Sequence, residues 1–206
     1  MARLLRLLLP SATCLSLVLA ACGSGGSAPP GNDPPPDPPG TFRDGFETGL
    51  GSWAKAFDLP PDPNDPGDVV EWSIEASAEQ AFQGQQSARF VLDGRQDDGT
   101  IWLVRAFDVT PQATHTVSLS VMFWSESESF NTTAMVAAYA GPVPPTVELD
   151  FDTTRPLNLT AGWAPYAYTF EVTSGDDGRI WVAFGISAVW ETWMTYYADE
   201  VRVGID

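Results

Sequence analysis

The residues of this 206-residue chain best suited to chemistry are its eight tryptophans and the arginines and glutamates set among them. Sugar rings present flat apolar C–H faces edged by hydroxyls. A site for them therefore pairs aromatic platforms with planar hydrogen-bonding groups. Trp102, Trp124 and Trp181 lie out of phase with apolar stripes, so they face away from a core that the stripes would form. Arg89 and Arg105 are the candidate donors for such a site, and Glu126 and Glu128 the candidate acceptors. Trp190 and Trp193 fall in the segment 188–194 and offer an exposed rim. Catalytic chemistry is poorly supplied. His115 is the only histidine, no Gly-x-Ser-x-Gly elbow accompanies it, and a histidine metal triad is impossible. Paired acids for glycoside hydrolysis are open in principle, but nothing marks a pair. The chain reads as a binder, not an enzyme.

These residues need a β framework. Val117, Leu119, Val121 and Phe123 alternate with polar residues and Trp124, Ile180 to Ile186 alternate with Trp181 to Gly185, and Tyr166, Tyr168, Phe170 and Val172 alternate with Ala167, Thr169 and Glu171. Such period-2 patterns suit strands buried on one face. Further strands are expected at 68–75, 87–93, 99–108, 132–140 and 195–204. Asp93-Gly94, Asp98-Gly99, Gly141-Pro142 and Gly175 to Gly178 supply turns between them. No amphipathic helix of normal length is visible. The expectation is an all-β antiparallel sandwich. Leu59 to Asp68 is a rigid acidic insertion, and the prolines of 141–145 keep that segment at a sheet edge or outside the sheets.

Before Phe42 the chain changes character. Arg3 and Arg6 precede an apolar run that ends at Leu19-Ala20-Ala21-Cys22, a short export signal rather than a spanning helix. Gly23 to Thr41 is Gly/Ser-rich, then proline-rich, and reads as a tether of at most roughly 60 Å at about 3.1 Å per residue. Removing Arg3 and Arg6 with the signal leaves eight basic residues against 27 acidic ones, a net charge of −19. That balance disfavours nucleic acid and anionic headgroups and favours neutral polymers, cations or basic surfaces. Asn131 and Asn158 each begin a glycosylation sequon.

Small residues directly before Cys22 resemble the lipobox of bacterial lipoproteins. The resemblance implies cleavage before Cys22, its acylation by several chains, and a membrane anchor. Cys14 would leave with the signal, so the mature chain has no free thiol and no disulfide. Gly23, not Asp, follows the cysteine, which by the same resemblance favours the outer membrane. The expected organisation is a signal at 1–21, a lipidated cysteine and tether at 22–41, and one domain at 42–206.

That domain opens Asp44-Gly45-Phe46-Glu47, passes through Gly84-Gln85-Gln86-Ser87, and closes on Ala198-Asp199-Glu200-Val201. With Trp53, Trp163 and Phe107 to Pro111 in order between them, the set resembles jelly-roll carbohydrate-binding modules of the galactose-binding-like superfamily. The resemblance implies a non-catalytic glycan-binding domain. It places Trp53, Trp72 and Trp163 in the core. It also implies a structural calcium ion held by Glu47, Gly84, Ser87 and Asp199, with Asp44 a further candidate. Asp62, Asn64 and Asp68 are a poor calcium loop, because Pro66 and Ser73 occupy positions where ligands are needed. The alternative function is an envelope adhesion module using the acidic loops.

Overall fold

The computed structural model describes residues 40–126 and 131–206. Cys22, the signal, nearly all of the tether and Glu128 lie outside them.

The described domain is an all-β, antiparallel jelly-roll sandwich. Its strands are β1 (Phe42–Asp44), β2 (Ala54–Asp58), β3 (Trp72–Ser77), β4 (Ser87–Asp93), β5 (Thr100–Asp108), β6 (Thr114–Ser125), β7 (Ala134–Gly141), β8 (Asp152–Pro156), β9 (Gly162–Thr173), β10 (Arg179–Ala188) and β11 (Trp193–Ile205). A single 3₁₀ turn, Glu148–Asp150, precedes β8. The six-stranded sheet runs β3-β4-β11-β6-β9, with β1 also paired to β11. The five-stranded sheet runs β2-β5-β10-β7-β8.

Eight expected strands are present, with ends shifted by a few residues. Three short ones, β1, β2 and β8, lacked a readable alternation. Each has only three to five residues and lies outside the centre of its sheet, where burial on one face is incomplete. The 141–145 prolines lie beyond the end of β7, as their missing N–H groups require.

The inner faces meet on a dense aromatic cluster. Phe184 of β10 sits 5.0 Å from Trp53, 6.2 Å from Phe90 and 6.3 Å from Phe123 between ring centroids. Burial of each such ring stabilises by roughly 1.5–3 kcal/mol. This packing fixes strand phase: with Phe90, Phe123, Tyr166 and Tyr196 inward, their immediate neighbours must point outward.

β11 organises the six-stranded sheet. Its first half pairs with β4 through Ala198, its second half with β1 from Val201, and β6 runs along its other edge. Between the halves the register with β6 shifts at Asp199–Arg202, and Glu200 has φ 49°. A bulge of this kind turns the strand and re-aims its side chains.

Candidate functional site

Pairing register lines up five outward side chains across the six-stranded sheet. Glu75 of β3 lies opposite Arg89 of β4, Arg89 opposite Tyr197 of β11, Tyr197 opposite Trp124 of β6, and Trp124 opposite Trp163 of β9. At about 4.8 Å per strand the row is roughly 19 Å long. Trp124 meets Tyr197 edge-on at 5.4 Å. Phe82, 43% exposed on the loop after β3, packs edge-on against Trp163 at 5.7 Å. The two indoles are half-buried, so each is held by its neighbours and still presents surface.

The polar end of the row is tied into a network. Arg89 Nη1 donates to Glu75 at 3.3 Å and its Nε lies 3.4 Å from Glu79. The Tyr197 hydroxyl donates to Glu79. Burial, reinforced by that bond, pushes the Tyr197 phenol up. The arrangement places two indoles at one end of the face and carboxylate acceptors at the other, with the buried Tyr197 joining them through its bond to Glu79. A run of sugar units could meet these groups in turn.

The face continues on both sides of the row. Toward the start of β11, Trp193 is 45% exposed, with the Arg95 guanidinium 6.0 Å from its ring. A hollow of about 260 Å³ lies there, lined by Ser125, Glu126, Thr133, Trp193 and Thr195 among others. Beyond the bulge, a trough of about 420 Å³ is lined by Thr41, Ser118, Ser120, Thr169 and Arg202.

Several sequence expectations are corrected. Trp102, Trp124 and Trp181 do not share a platform. Trp102 and Trp181 belong to β5 and β10 of the five-stranded sheet, whose outer face points away from that of the six-stranded sheet. Trp102 is only 1% exposed, because Phe151 covers it at 5.0 Å. Trp181 is half-buried at the edge of the same cluster. Arg105 stands over Phe42 at 3.9 Å and Phe107 at 5.1 Å, so it packs at the edge of the sandwich away from the row. Trp163, expected in the core, faces out. Its signal was legible: Trp163 is out of phase with Tyr166 and Tyr168. Tyr197 was legible by the same logic, since of two adjacent tyrosines only one faces inward. Phe82, Glu75 and Glu79 carried no comparable signal. Trp53 is core, and Trp72 packs against that core and lies 4.8 Å from Phe57.

The residues of the expected ion site do converge. Asp199, fully buried, accepts from the amides of Phe82 (2.8 Å), Gln83 (3.0 Å) and Glu200 (2.7 Å). Burial raises its carboxyl pKa despite those bonds. Glu47 accepts from Gln85 at 3.0 Å and Gln86 at 3.2 Å. Gly84 lies against it at φ 67°, where a side chain would collide with the carboxylate. Ser87 donates to the Gln80 carbonyl at 2.7 Å, and Asp44 accepts from Phe46 N and Trp53 Nε1. The carboxylates thus face amide protons. Among the described residues no group of three or more acidic, His or Cys side chains is placed to hold a metal. Together these contacts make a hydrogen-bonded clasp on the loop 82–86.

His115 lies away from the row, with Nδ1 3.0 Å from the Asp206 carbonyl and Nε2 3.4 Å from that of Thr110. Asn158 is 3% exposed, and its amide binds Thr133 N and Asn131 O, so that sequon is structurally closed.

No protein-family model matches the chain, and no curated protein matches it. Similar solved structures include carbohydrate-binding modules. One, from work on promiscuous specificity of carbohydrate-binding modules from the β-sandwich superfamily, shares 16% identity at TM-score 0.49. It covers 78% of this chain, and the chain spans 60% of it. The C-terminal family 22 carbohydrate-binding module of Clostridium thermocellum Xyn10B shares 16% identity at TM-score 0.46, over 82% of this chain and 97% of its own. The K1 cleaved adhesin domain of Lys-gingipain from Porphyromonas gingivalis W83 shares 14% identity at TM-score 0.45, over 80% and 97%.

Proposed function

We propose that this domain is a non-catalytic glycan-binding module and that the ligand lies on the outer face of the six-stranded sheet. The observation that carries the reading is the cross-strand row from Glu75 to Trp163, which sets two presented indoles at one end and carboxylate acceptors at the other, a span that a short run of sugar units covers. Stacking on Trp124 and Trp163 supplies the affinity, and Glu75 and Glu79 accept from ring hydroxyls. The clasp of Glu47 and Asp199 holds the loop that carries Phe82 against Trp163.

The test is a panel of soluble polysaccharides, with binding measured for the full-length chain and its Trp124→Ala, Trp163→Ala and Trp181→Ala variants. The first two are expected to lose at least about tenfold in affinity, or ~1.4 kcal/mol, with the circular dichroism spectrum retained. Trp181→Ala is expected to bind as the parent does. A chain that binds a basic protein surface and no glycan would support the adhesion reading instead.

The anchor is a second part of the proposal and rests on the lipobox-like sequence alone. Cys22 is the first residue of the mature chain and carries the lipid, with the outer membrane its destination. Mass spectrometry of the N-terminal peptide is expected to find acylated Cys22. An unmodified cysteine or a retained signal contradicts this part without touching the glycan reading.

A further inference from the structure

The charge arrangement around the aromatic row carries a statement about which glycans it takes, and it rests on the glycan reading of that face. Arg89 is the arginine within the row, and it stands between two carboxylates: Glu75 at 3.3 Å and Glu79 at 3.4 Å. Its side chain is 27% exposed, whereas those of Glu75 and Glu79 are 59% and 61% exposed. The guanidinium is therefore held inside, and the negative groups form the rim. The three together carry a formal charge of −1.

The pattern extends toward the Trp193 end. Arg95, near that indole, is held by Asp93 through two bonds, at 2.8 and 2.6 Å, and Glu126 lines the adjoining hollow. Beyond the bulge, Arg202 donates to Glu200 at 3.0 Å and lies opposite Arg43 of β1 in register. The cations of the face are thus committed to carboxylates beside the aromatic surface, and Arg43 and Arg202 lie across the bulge from it.

We infer that the row selects by charge, accepting neutral or amino-sugar glycans and rejecting those whose rings carry carboxylates. On a glycan chain laid along the row, with one unit stacked on Trp124, a uronate at a neighbouring unit over Tyr197 would bring its carboxylate toward Glu79, which that tyrosine binds, and toward Glu75 beyond Arg89. Like charges brought together in a partly desolvated site are strongly disfavoured, and repulsion of this kind is a common device of specificity. A neutral ring meets the same carboxylates as hydroxyl acceptors. An ammonium group meets them as counter-charges and meets the indoles as π faces.

The experiment pairs each neutral polysaccharide of a panel (β-glucan, β-galactan, xylan, chitin oligosaccharides) with a charged counterpart. The counterparts are the glucan and galactan with primary hydroxyls oxidised to carboxylates, glucuronoxylan, and deacetylated chitin oligosaccharides. The full-length chain is titrated with each at low and high salt. For the polymer that binds, the carboxylated form is expected to bind at least tenfold more weakly at low salt, with the gap shrinking as salt screens the repulsion. If chitin oligosaccharides bind, the deacetylated form is expected to bind at least as well as the acetylated form. Glu75→Gln with Glu79→Gln, both at exposed side chains, is expected to narrow the neutral-to-carboxylate gap. Equal or tighter binding of the carboxylated form by the unaltered chain would overturn the inference and leave the glycan reading standing. Binding only to polymers that carry carboxylates would also overturn it. If no member of the panel binds in either form, the glycan reading fails and the inference falls with it.

Discussion

Asp199 shows how one side chain joins fold to site. Its carboxylate ends the first half of β11, accepts three backbone amides and fixes the loop whose Phe82 abuts Trp163. Replacement by Asn turns one acceptor into an N–H that opposes a donor. Asp199→Asn is expected to lower unfolding free energy by about 1–3 kcal/mol for each amide left without an acceptor. The pH dependence has a defined sign. Burial sets the folded-state pKa above the unfolded value, so the native state holds the extra proton in between. Stability therefore falls as pH rises from the unfolded to the raised folded pKa, and stays lower above it. Urea unfolding across acidic pH is expected to show that slope in the parent and its loss in Asp199→Asn. Melting of the parent with calcium and with a chelator tests the ion that the resemblance implies. A chelator-induced drop, absent in Asp199→Asn, would place the ion at this clasp, and an unchanged melting curve would refute it. The convergence of Glu47, Gly84, Ser87 and Asp199 was legible in the order of motifs. Their contacts with amides were not, because which backbone group faces a carboxylate depends on loop geometry with no side-chain signature.

At the level of elements, the segment between β7 and β8 explains why Trp102 was misjudged. Alternation correctly puts Trp102 on an outer face, but alternation is silent about what crosses that face. Here the segment 142–151 straps over it. Tyr139 donates to the Val143 carbonyl at 2.7 Å, Asp150 accepts from the amides of Thr146 and Val147, Glu148 N donates to Asp58 and Ser187 donates to Glu148. Phe151 then lies on the indole. Gly185, opposite Trp102 in register, leaves the space, since a side chain there would strike the β5 backbone. The amides of Thr146 and then Val147 hold the Asp150 carboxyl below its ordinary range. Its contribution to the strap is thus present above the unfolded pKa and lost as pH falls through the folded one. Asp150→Ala is expected to raise acrylamide quenching of the Trp102 component, read as the difference from a Trp102→Phe background. Unchanged quenching would mean that the remaining contacts suffice. Trp163 gives the opposite lesson. Its phase is readable along β9, whereas the resemblance implied a core position.

Across the whole molecule, the period-2 stripes were enough for the sandwich, because two sheets with one apolar face each have few other ways to bury them. Which outer face carries a site was not legible. It depends on cross-strand register between segments far apart in the chain, as with Arg89 opposite Tyr197 and Tyr197 opposite Trp124. The acidity of the chain acquires a place as well as a sum, with Glu75 and Glu79 at the rim of the aromatic row. The proposed function puts the glycan on this row and not on the face of Trp102 and Trp181. The most direct measurement is titration of a binding polysaccharide into Trp124→Ala and Trp181→Ala, with fold checked by circular dichroism. The expected result is a loss of at least about tenfold for Trp124→Ala and none for Trp181→Ala. Binding retained by Trp124→Ala, or lost only in a folded Trp181→Ala, would contradict the account.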